Sequence, residues 1–207
     1  SAVEIVPALL GCTHNMETRS EIAELCVKLM SDNVDAVRKS AAECLCLGGS
    51  NLGSDESGEA DEWLSIVVMP HLEACCDSAD SKQRLLSLKM AEMILADNGR
   101  WNSSMIEEIN SESGKVGAVS LSRRCLEVAS KLSSDNIVNV RLNVGRMYGN
   151  VLNSLSSDDD LDFIISTLES QLECERSKDK GGDRDVIYFA KKAMAQAKER
   201  MNRLDEI

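Results

Sequence analysis

The side chains that could perform chemistry are few and widely separated. The two histidines, His14 and His71, lie 57 positions apart. A Ser-His-Asp or Cys-His site needs its nucleophile and base within hydrogen-bonding reach, and no motif brings such a pair together. "SGKVGAVS" at 113–120 contains Gly114 and Lys115 but lacks the G-x-x-x-x-G-K-[ST] spacing of a phosphate-binding loop. We therefore expect a non-enzymatic protein without a cofactor.

Two acidic clusters have the composition of cation sites. The first opens an apolar-periodic segment, where carboxylates suit the positive end of a helix dipole. The second, "DKGGDRD" at 179–185, imitates part of a calcium loop, but Ala190 stands where the closing Glu should be. We interpret the first cluster as a helix start, and we reject the calcium-loop interpretation of the second. The first cluster consists of Asp158, Asp159, Asp160 and Asp162.

Cysteine is frequent, but its spacing does not indicate a zinc site. No C-x-x-C occurs, and neither histidine lies near a cysteine pair at zinc spacing. Most cysteines fall within helical apolar patterns, which predicts buried free thiols. The eight are Cys12, Cys26, Cys44, Cys46, Cys75, Cys76, Cys125 and Cys174.

The charge balance limits the kinds of partner. The formal net charge is −12, and no basic stretch interleaved with aromatic residues is present, so nucleic-acid binding is not expected. No apolar run approaches the roughly 18 residues of a membrane span, and the first residues do not read as a signal peptide. We expect a soluble protein of the cytoplasm, with the nucleus as a second compartment.

A repeated phrase organises the chain. "SDNVDAVRKSAAECL" at 31–45 and "SDNIVNVRLNVGRMY" at 134–148 share their Asp, Asn and Val-Arg positions. Weaker copies begin near Ser78, with Arg84 six positions later, and near residue 181, where Ile187 takes the place of the arginine. Cap positions 32, 78, 135 and about 181 lie 46, 57 and 46 residues apart, which matches HEAT-type helical hairpins of roughly 40–47 residues with one long insertion.

This spacing predicts an all-α superhelix of HEAT repeats, an armadillo-like solenoid of about four helical hairpins after one leading helix. We expect one solenoid over residues 1–207, with a partial repeat at 1–15 that suggests a chain cut within a repeat. Helix pairs are expected at 20–31 with 35–48, 61–76 with 80–96, 118–133 with 137–154, and 159–175 with 184–204. These helices lie in repeats at 20–49, 61–97, 118–154 and 159–204.

Four local details are also expected. Asp32 and Asp135 should cap the second helix of their hairpins, because a short carboxylate accepts from free amides at a helix start. Arg38 and Arg141 could then reach the aspartate of their own or the next hairpin. Pro70 should kink its helix. The segment 97–117 reads as a solvated loop, with a short helix at 105–109 and a partner-binding insertion as the alternative interpretation.

The chain resembles the carboxy-terminal HEAT repeats of the scaffolding A subunit of protein phosphatase 2A, and closely after it regulatory subunit 1 of protein phosphatase 4. The resemblance covers nearly the whole chain. It is carried by "EIVPALLG" at 4–11, "EWLSIVVMPHLEACC" at 62–76, "SDNIVNVRLNVGRMYGNVL" at 134–152 and "DRDVIYFAKKAM" at 183–194. "VRKSAAECL" at 37–45 looks more like the phosphatase 4 regulator, so both relatives stay open.

The resemblance implies a non-catalytic scaffold that carries a Ser/Thr phosphatase catalytic subunit on its intra-repeat turns, with a regulatory subunit on earlier ones. Asp32, Arg38, Arg84, Asp135 and Arg141 are interpreted mainly as structural residues. A HEAT-repeat transport receptor or general adaptor is the alternative function. By position, the residues expected to contact the partner are Asn33, Val34, Asp35, Ala79, Asp80, Ser81, Lys82, Asn136, Ile137, Val138, Asn139, Asp183 and Asp185.

Overall fold

The structure, a computed structural model, describes residues 16–50, 62–96, 105–109, 116–178 and 181–204. The chain forms two compact units, residues 1–94 and 95–207. The predicted partial repeat at 1–15 lies outside the described residues, as do Cys12 and His14. Each unit is described by itself.

The first unit contains two antiparallel helix pairs. Helices α1 (Met16–Leu29) and α2 (Asp35–Ser50) form the first pair. A π-helix (Trp63–Val68) continues into α3 (Met69–Cys76), which is paired with α4 (Ser81–Ala96). The pairs are joined by a hydrogen bond of 3.0 Å from the indole Nε1 of Trp63 to the carbonyl oxygen of Leu45.

The helix containing Pro70 changes its winding where a kink was expected. Proline lacks the N–H that would bond the carbonyl four residues earlier, and its ring crowds that carbonyl. Here the turn before Pro70 is a π-helix, and the N–H of Met69 donates to Leu64, five residues back. Wider π winding of this kind is one of the identifiable ways in which a helix accommodates a break in its hydrogen-bond ladder.

The second unit contains two more helix pairs. Helix α5 (Leu121–Lys131) ends in a 3₁₀ turn (Leu132–Ser134) and is paired with α6 (Val138–Val151), which also ends in one (Leu152–Ser154). Helix α7 (Asp158–Ser177) is paired with α8 (Arg184–Leu204). Gly145 lets α6 and α8 approach closely, because a Cβ there would lie 3.0 Å from backbone atoms of Phe189 and Ala190.

The expected helix at 105–109 is wrong. Met105–Ile109 forms strand β1, which pairs antiparallel with β2 (Val116–Ser120), with Met105 opposite Ser120 and Ile109 opposite Val116. A five-residue helix gains too few hydrogen bonds to offset the cost of nucleation. Two short segments containing Ile and Val can instead satisfy each other's backbone groups across a ladder.

Both cores are aliphatic, as the scarcity of aromatic residues predicts. Leu45, Leu64, Leu72 and Met90 are fully buried in the first unit. Each such side chain contributes about 1.5–3 kcal/mol of transfer free energy. The second core surrounds Tyr148, whose hydroxyl donates to the carbonyl of Leu126 at 3.0 Å. Burial raises the pKa of Tyr148 well above its usual range.

These four helix pairs within the described part of the chain confirm the all-α helical-repeat class. The predicted helices coincide with the observed ones apart from small shifts at their ends. Whether residues 1–207 form a single continuous solenoid stays a prediction. None of the described helices combines the length and the apolar content that crossing a membrane requires.

The described cysteines and Asp160 of the first acidic cluster contribute to helix packing. Within the described ranges the cysteines are free thiols, most of them buried, and burial raises the pKa of Cys26 and of Cys75 to about 11. Among the described residues, no group of three or more His, Cys, Asp and Glu side chains is arranged to hold a metal ion. Asp160 instead links α7 to α5 by accepting from Ser122 and pairing with Arg123, both at 3.3 Å.

Candidate interaction site on the intra-repeat turns

The turns that join the helices of each pair are called the first (30–34), second (77–80), third (135–137) and fourth turns. Of the fourth turn, the structure describes residues 178 and 181–183. In the first three, an arginine of the following helix donates from Nη1 to the carbonyl oxygens six and five residues earlier. The distances are 2.8 and 3.0 Å from Arg38 to Asp32 and Asn33, 2.8 and 2.9 Å from Arg84 to Ser78 and Ala79, and 2.7 and 3.2 Å from Arg141 to Asp135 and Asn136.

These arginines are structural residues, as interpreted from the sequence. Arg38 and Arg141 are buried. A turn carbonyl that lost such a partner inside the protein would cost about 1–3 kcal/mol. At the first turn the guanidinium also pairs with Asp35 at 3.0 Å, and not with Asp32 as the sequence suggested. Because they hold the backbone from inside, these arginines fix which turn side chains face outward.

The expectation that Asp32 and Asp135 cap helices is wrong. Helices α2 and α6 begin three residues later, at Asp35 and Val138. Each carboxylate accepts instead from the amide two residues later. Asp32 accepts from the amide of Val34 and Asp135 from the amide of Ile137, both at 2.7 Å. Such Asx turns compete with helix geometry, and here they shape the turn before the helix starts.

The second turn has the same design with a hydroxyl in place of the carboxylate. Ser78 Oγ accepts from the amide of Asp80 at 3.2 Å, and Asp80 Oδ1 accepts from the amide of Lys82 at 2.9 Å.

The first and second turns are also linked to each other. Gln83 of α4 donates from Nε2 to the carbonyl of Met30 at 2.8 Å, which joins the second helix pair to the start of the first turn.

The predicted contact residues are accessible to solvent on all four turns. Asn33, Val34 and Asp35 are exposed, as are Ala79, Asp80, Lys82 and residues 136–139, whereas Ser81 is half-buried; near the fourth turn Asp185 is exposed and Asp183 is half-buried. Val34, Ile137 and Val138 are large apolar side chains with 56%, 44% and 41% of their surface exposed. Apolar side chains on an ordered backbone can be desolvated by a partner at little entropic cost.

The fourth turn is held by a buried acid that the sequence did not single out. Glu175, near the end of α7, is fully buried. Its Oε1 lies 2.5 Å from both Arg141 Nε and Lys178 Nζ, and its Oε2 accepts from the amide of Asp183 at 2.9 Å. Within the second unit this network joins the third turn to the fourth.

The environment of Glu175 favours the charged carboxylate. Burial alone would raise the pKa of Glu175, but hydrogen bonds from Lys178, the Asp183 amide and Arg141 outweigh it, and the pKa falls below its usual value. "ECERSKDK" at 173–180 is rich in charge and reads as a solvated end of a helix. One sequence signal could have indicated the role of Glu175. The fourth repeat has Ile187 in place of the turn arginine, so its turn needs another side chain to hold it.

Two glycines shape the fourth turn, and Asp183 starts the helix that follows. Gly181 and Gly182 have φ of +80° and +75°, a region that side chains disfavour. Gly182 also lies directly against the Glu175 carbonyl, where a Cβ would clash. Asp183 Oδ1 accepts from the amides of Asp185 and Val186 at 3.0 and 3.1 Å, so it caps α8, two residues after the cap position expected near residue 181.

Comparison with known proteins gives no family for this helical-repeat chain. No family model matches it, and no curated protein matches it. A solved structure similar to it is the crystal structure of an engineered protein from a structural genomics consortium. The match has a TM-score of 0.49 and 18% sequence identity, and covers 86% of this chain. The chain spans 62% of that protein's length.

Proposed function

We propose that this chain is a non-catalytic scaffold or regulatory subunit of a Ser/Thr protein phosphatase, and that the phosphatase catalytic subunit docks on the intra-repeat turns. A regulatory subunit is a further partner. The proposed place of action is the cytoplasm, with the nucleus as a second compartment.

The observation that carries this proposal is the recurrence of one turn design. The first three turns have their carbonyls tied to a following arginine, and two of them present exposed aliphatic side chains beside it, Val34 at one and Ile137 with Val138 at the other. Recognition by a folded partner favours such preorganised side chains, because little conformational entropy is lost on binding. The sequence resemblance to phosphatase scaffolds includes the third turn, within 134–152, and Asp183 with the start of α8, within 183–194.

The network around Glu175 supports the same proposal. Arg141 contacts both the third-turn carbonyls and Glu175, and Glu175 contacts the Asp183 amide of the fourth turn. The spacing between these two turns is therefore fixed by bonded atoms. Two neighbouring turns with a fixed spacing form a surface on which one partner can bind both together.

Val138→Glu tests the proposal. Val138 is the first residue of α6, where a carboxylate suits the helix dipole, so the variant should fold normally. Leu25→Glu is the matched control, because it places the same charge at an aliphatic residue with 54% of its surface exposed in the middle of α1. Binding of purified phosphatase 2A and phosphatase 4 catalytic subunits to the full chain is measured by biolayer interferometry.

We expect Val138→Glu to weaken binding of at least one catalytic subunit roughly tenfold or more, as for a central interface residue. Leu25→Glu should bind like the parent chain. Equal affinity of the parent chain and Val138→Glu would refute the docking site. If affinity capture retrieved a nuclear transport GTPase and no phosphatase, the transport-receptor alternative would replace the proposal.

A further inference from the structure

Helix α8 presents a charged face that its packing leaves open. Its apolar stripe is buried as the helix packs against α6 and α7 in the second unit. By helical periodicity the residues at positions 184, 188, 191 and 192 lie on the opposite side. Arg184, Tyr188, Lys191 and Lys192 are all exposed. The buried stripe consists of Val186, Ala190, Ala193 and Ala197.

Two aromatic rings lie at the edge of this face. Tyr188 has 59% of its surface exposed and meets Phe189 edge to face, with ring centroids 5.1 Å apart at 83°. The guanidinium of Arg146, from α6, lies 4.3 Å over the centroid of the Phe189 ring. These contacts order the rings, since edge-to-face aromatic pairs and cation–π contacts are both attractive.

Among the residues that the structure describes, no acidic side chain forms an ion pair with the cations of this face. Elsewhere on α8, Lys198 pairs with Glu169 at 3.1 Å and Arg203 with Glu199 at 2.8 Å. Arg184, Lys191 and Lys192 form no ion pair with any residue that the structure describes. The acidic neighbour on this part of the helix is Asp185. The chain has 35 acidic and 23 basic residues, so three neighbouring cations without an ion pair to a described residue are unusual for its composition.

We propose that this surface, the cationic–aromatic patch, binds an acidic segment of a partner protein. The patch consists of Arg146, Arg184, Tyr188, Phe189, Lys191 and Lys192. Carboxylates of the partner meet Lys191, Lys192 and Arg184, and an apolar side chain beside them packs on Tyr188. Tyr and Arg are the residue types that most often contribute binding energy at interfaces. The proposal depends on α8 and α6 alone and is independent of the phosphatase proposal.

The charge distribution favours an acidic polypeptide over a nucleic acid. A nucleic acid brings a long run of phosphates, and its binding requires many cations along a track. The patch offers only a few cations, with Asp183 and Asp185 beside them and a net charge of −12 on the whole chain. A short segment with a few carboxylates can occupy the patch without bringing further negative charge against the rest of the surface.

The test measures fluorescence anisotropy of a labelled glutamate-rich peptide containing leucine, titrated with the full chain at low and at physiological salt. The ligand control is the same peptide with glutamine at every glutamate. The variant is Lys191→Glu with Lys192→Glu. Its matched control is Lys28→Glu with Lys131→Glu, which makes the same change in net charge at exposed lysines of α1 and α5.

The peptide should bind the parent chain and the control variant alike, more weakly at higher salt, and the Lys191/Lys192 variant roughly tenfold more weakly. Tyr188→Ala should also weaken binding, and Tyr188→Phe should restore most of it, which tests the ring without changing charge. The proposal is overturned by absence of saturable binding, by equal binding of the glutamine peptide, or by equal loss in both double variants. Tighter binding of a labelled oligothymidine than of the peptide would overturn it in favour of a nucleic acid.

Discussion

The third and fourth turns of the second unit are fixed by opposite charges. At the third turn, Arg141 comes from the following helix and donates to two backbone carbonyls. At the fourth, Glu175 comes from the preceding helix and accepts from the Asp183 amide. The third turn points carbonyls inward and the fourth turn points an amide inward, so each needs a partner of the other polarity. The two side chains, Arg141 and Glu175, also form an ion pair with each other.

The comparison shows that a repeat without a turn arginine can still anchor the residue before its second helix, here through the Asp183 amide. Gly181 and Gly182 adopt backbone conformations that turn the amide of Asp183 toward Glu175. Glu175 in turn completes the hydrogen bonding of Arg141. The fourth repeat therefore depends on the arginine of the third, whereas at the first turn Arg38 pairs with an acid of its own helix, Asp35.

Replacing the turn arginine should lower the free energy of unfolding more at the third turn, where Arg141 contacts Glu175, than at the first turn, where Arg38 contacts Asp35. Arg141→Met leaves Glu175 buried with only Lys178 as a side-chain partner, and we expect it to cost about 3–5 kcal/mol of unfolding free energy. Arg38→Met loses carbonyl contacts, but its acid, Asp35, is solvent-exposed, so the expected cost is about 1–3 kcal/mol. Urea denaturation followed by far-ultraviolet circular dichroism gives both values. Equal costs would mean that Glu175 does not couple the turns.

The two glycines of the fourth turn provide a finer comparison. Both have positive φ, and an alanine at Gly181 would have open space around its Cβ. Gly181→Ala should therefore cost only backbone strain, about 1 kcal/mol. Gly182→Ala adds a clash with the Glu175 carbonyl, and we expect a total of about 2–4 kcal/mol. The same urea titration applies, and a Gly182→Ala cost no larger than that of Gly181→Ala would show that the turn can move away from Glu175.

The architecture and the turn register were predictable from the sequence. The spacing of Arg38, Arg84 and Arg141 after their turns places each guanidinium within reach of the same two carbonyls. Helix pairs follow from apolar periodicity because, within each unit, every helix buries its apolar stripe against neighbouring helices. These are local patterns, and a sequence records them directly.

What the sequence missed depends on contacts that are distant along the chain. Glu175 reads as a solvated acid because its partner Arg141 lies 34 positions earlier. Asp32 and Asp135 read as caps because an Asx turn and a helix cap use the same residue type. In both, the aspartate accepts from an amide two or three residues later, so the sequence does not distinguish them. Residues 105–109 read as a helix because their strand partner, 116–120, lies across an intervening segment.

The central claim, that the intra-repeat turns are a docking surface, is tested most directly by a hydrogen-exchange footprint. Amide exchange of the full chain is compared with and without a purified phosphatase catalytic subunit at saturating concentration. We predict slower exchange at residues 33–35, 79–82, 136–139 and 183–185, and unchanged exchange in the middle of α1. A footprint confined to helix bodies away from the turns, or no change anywhere, would contradict the claim.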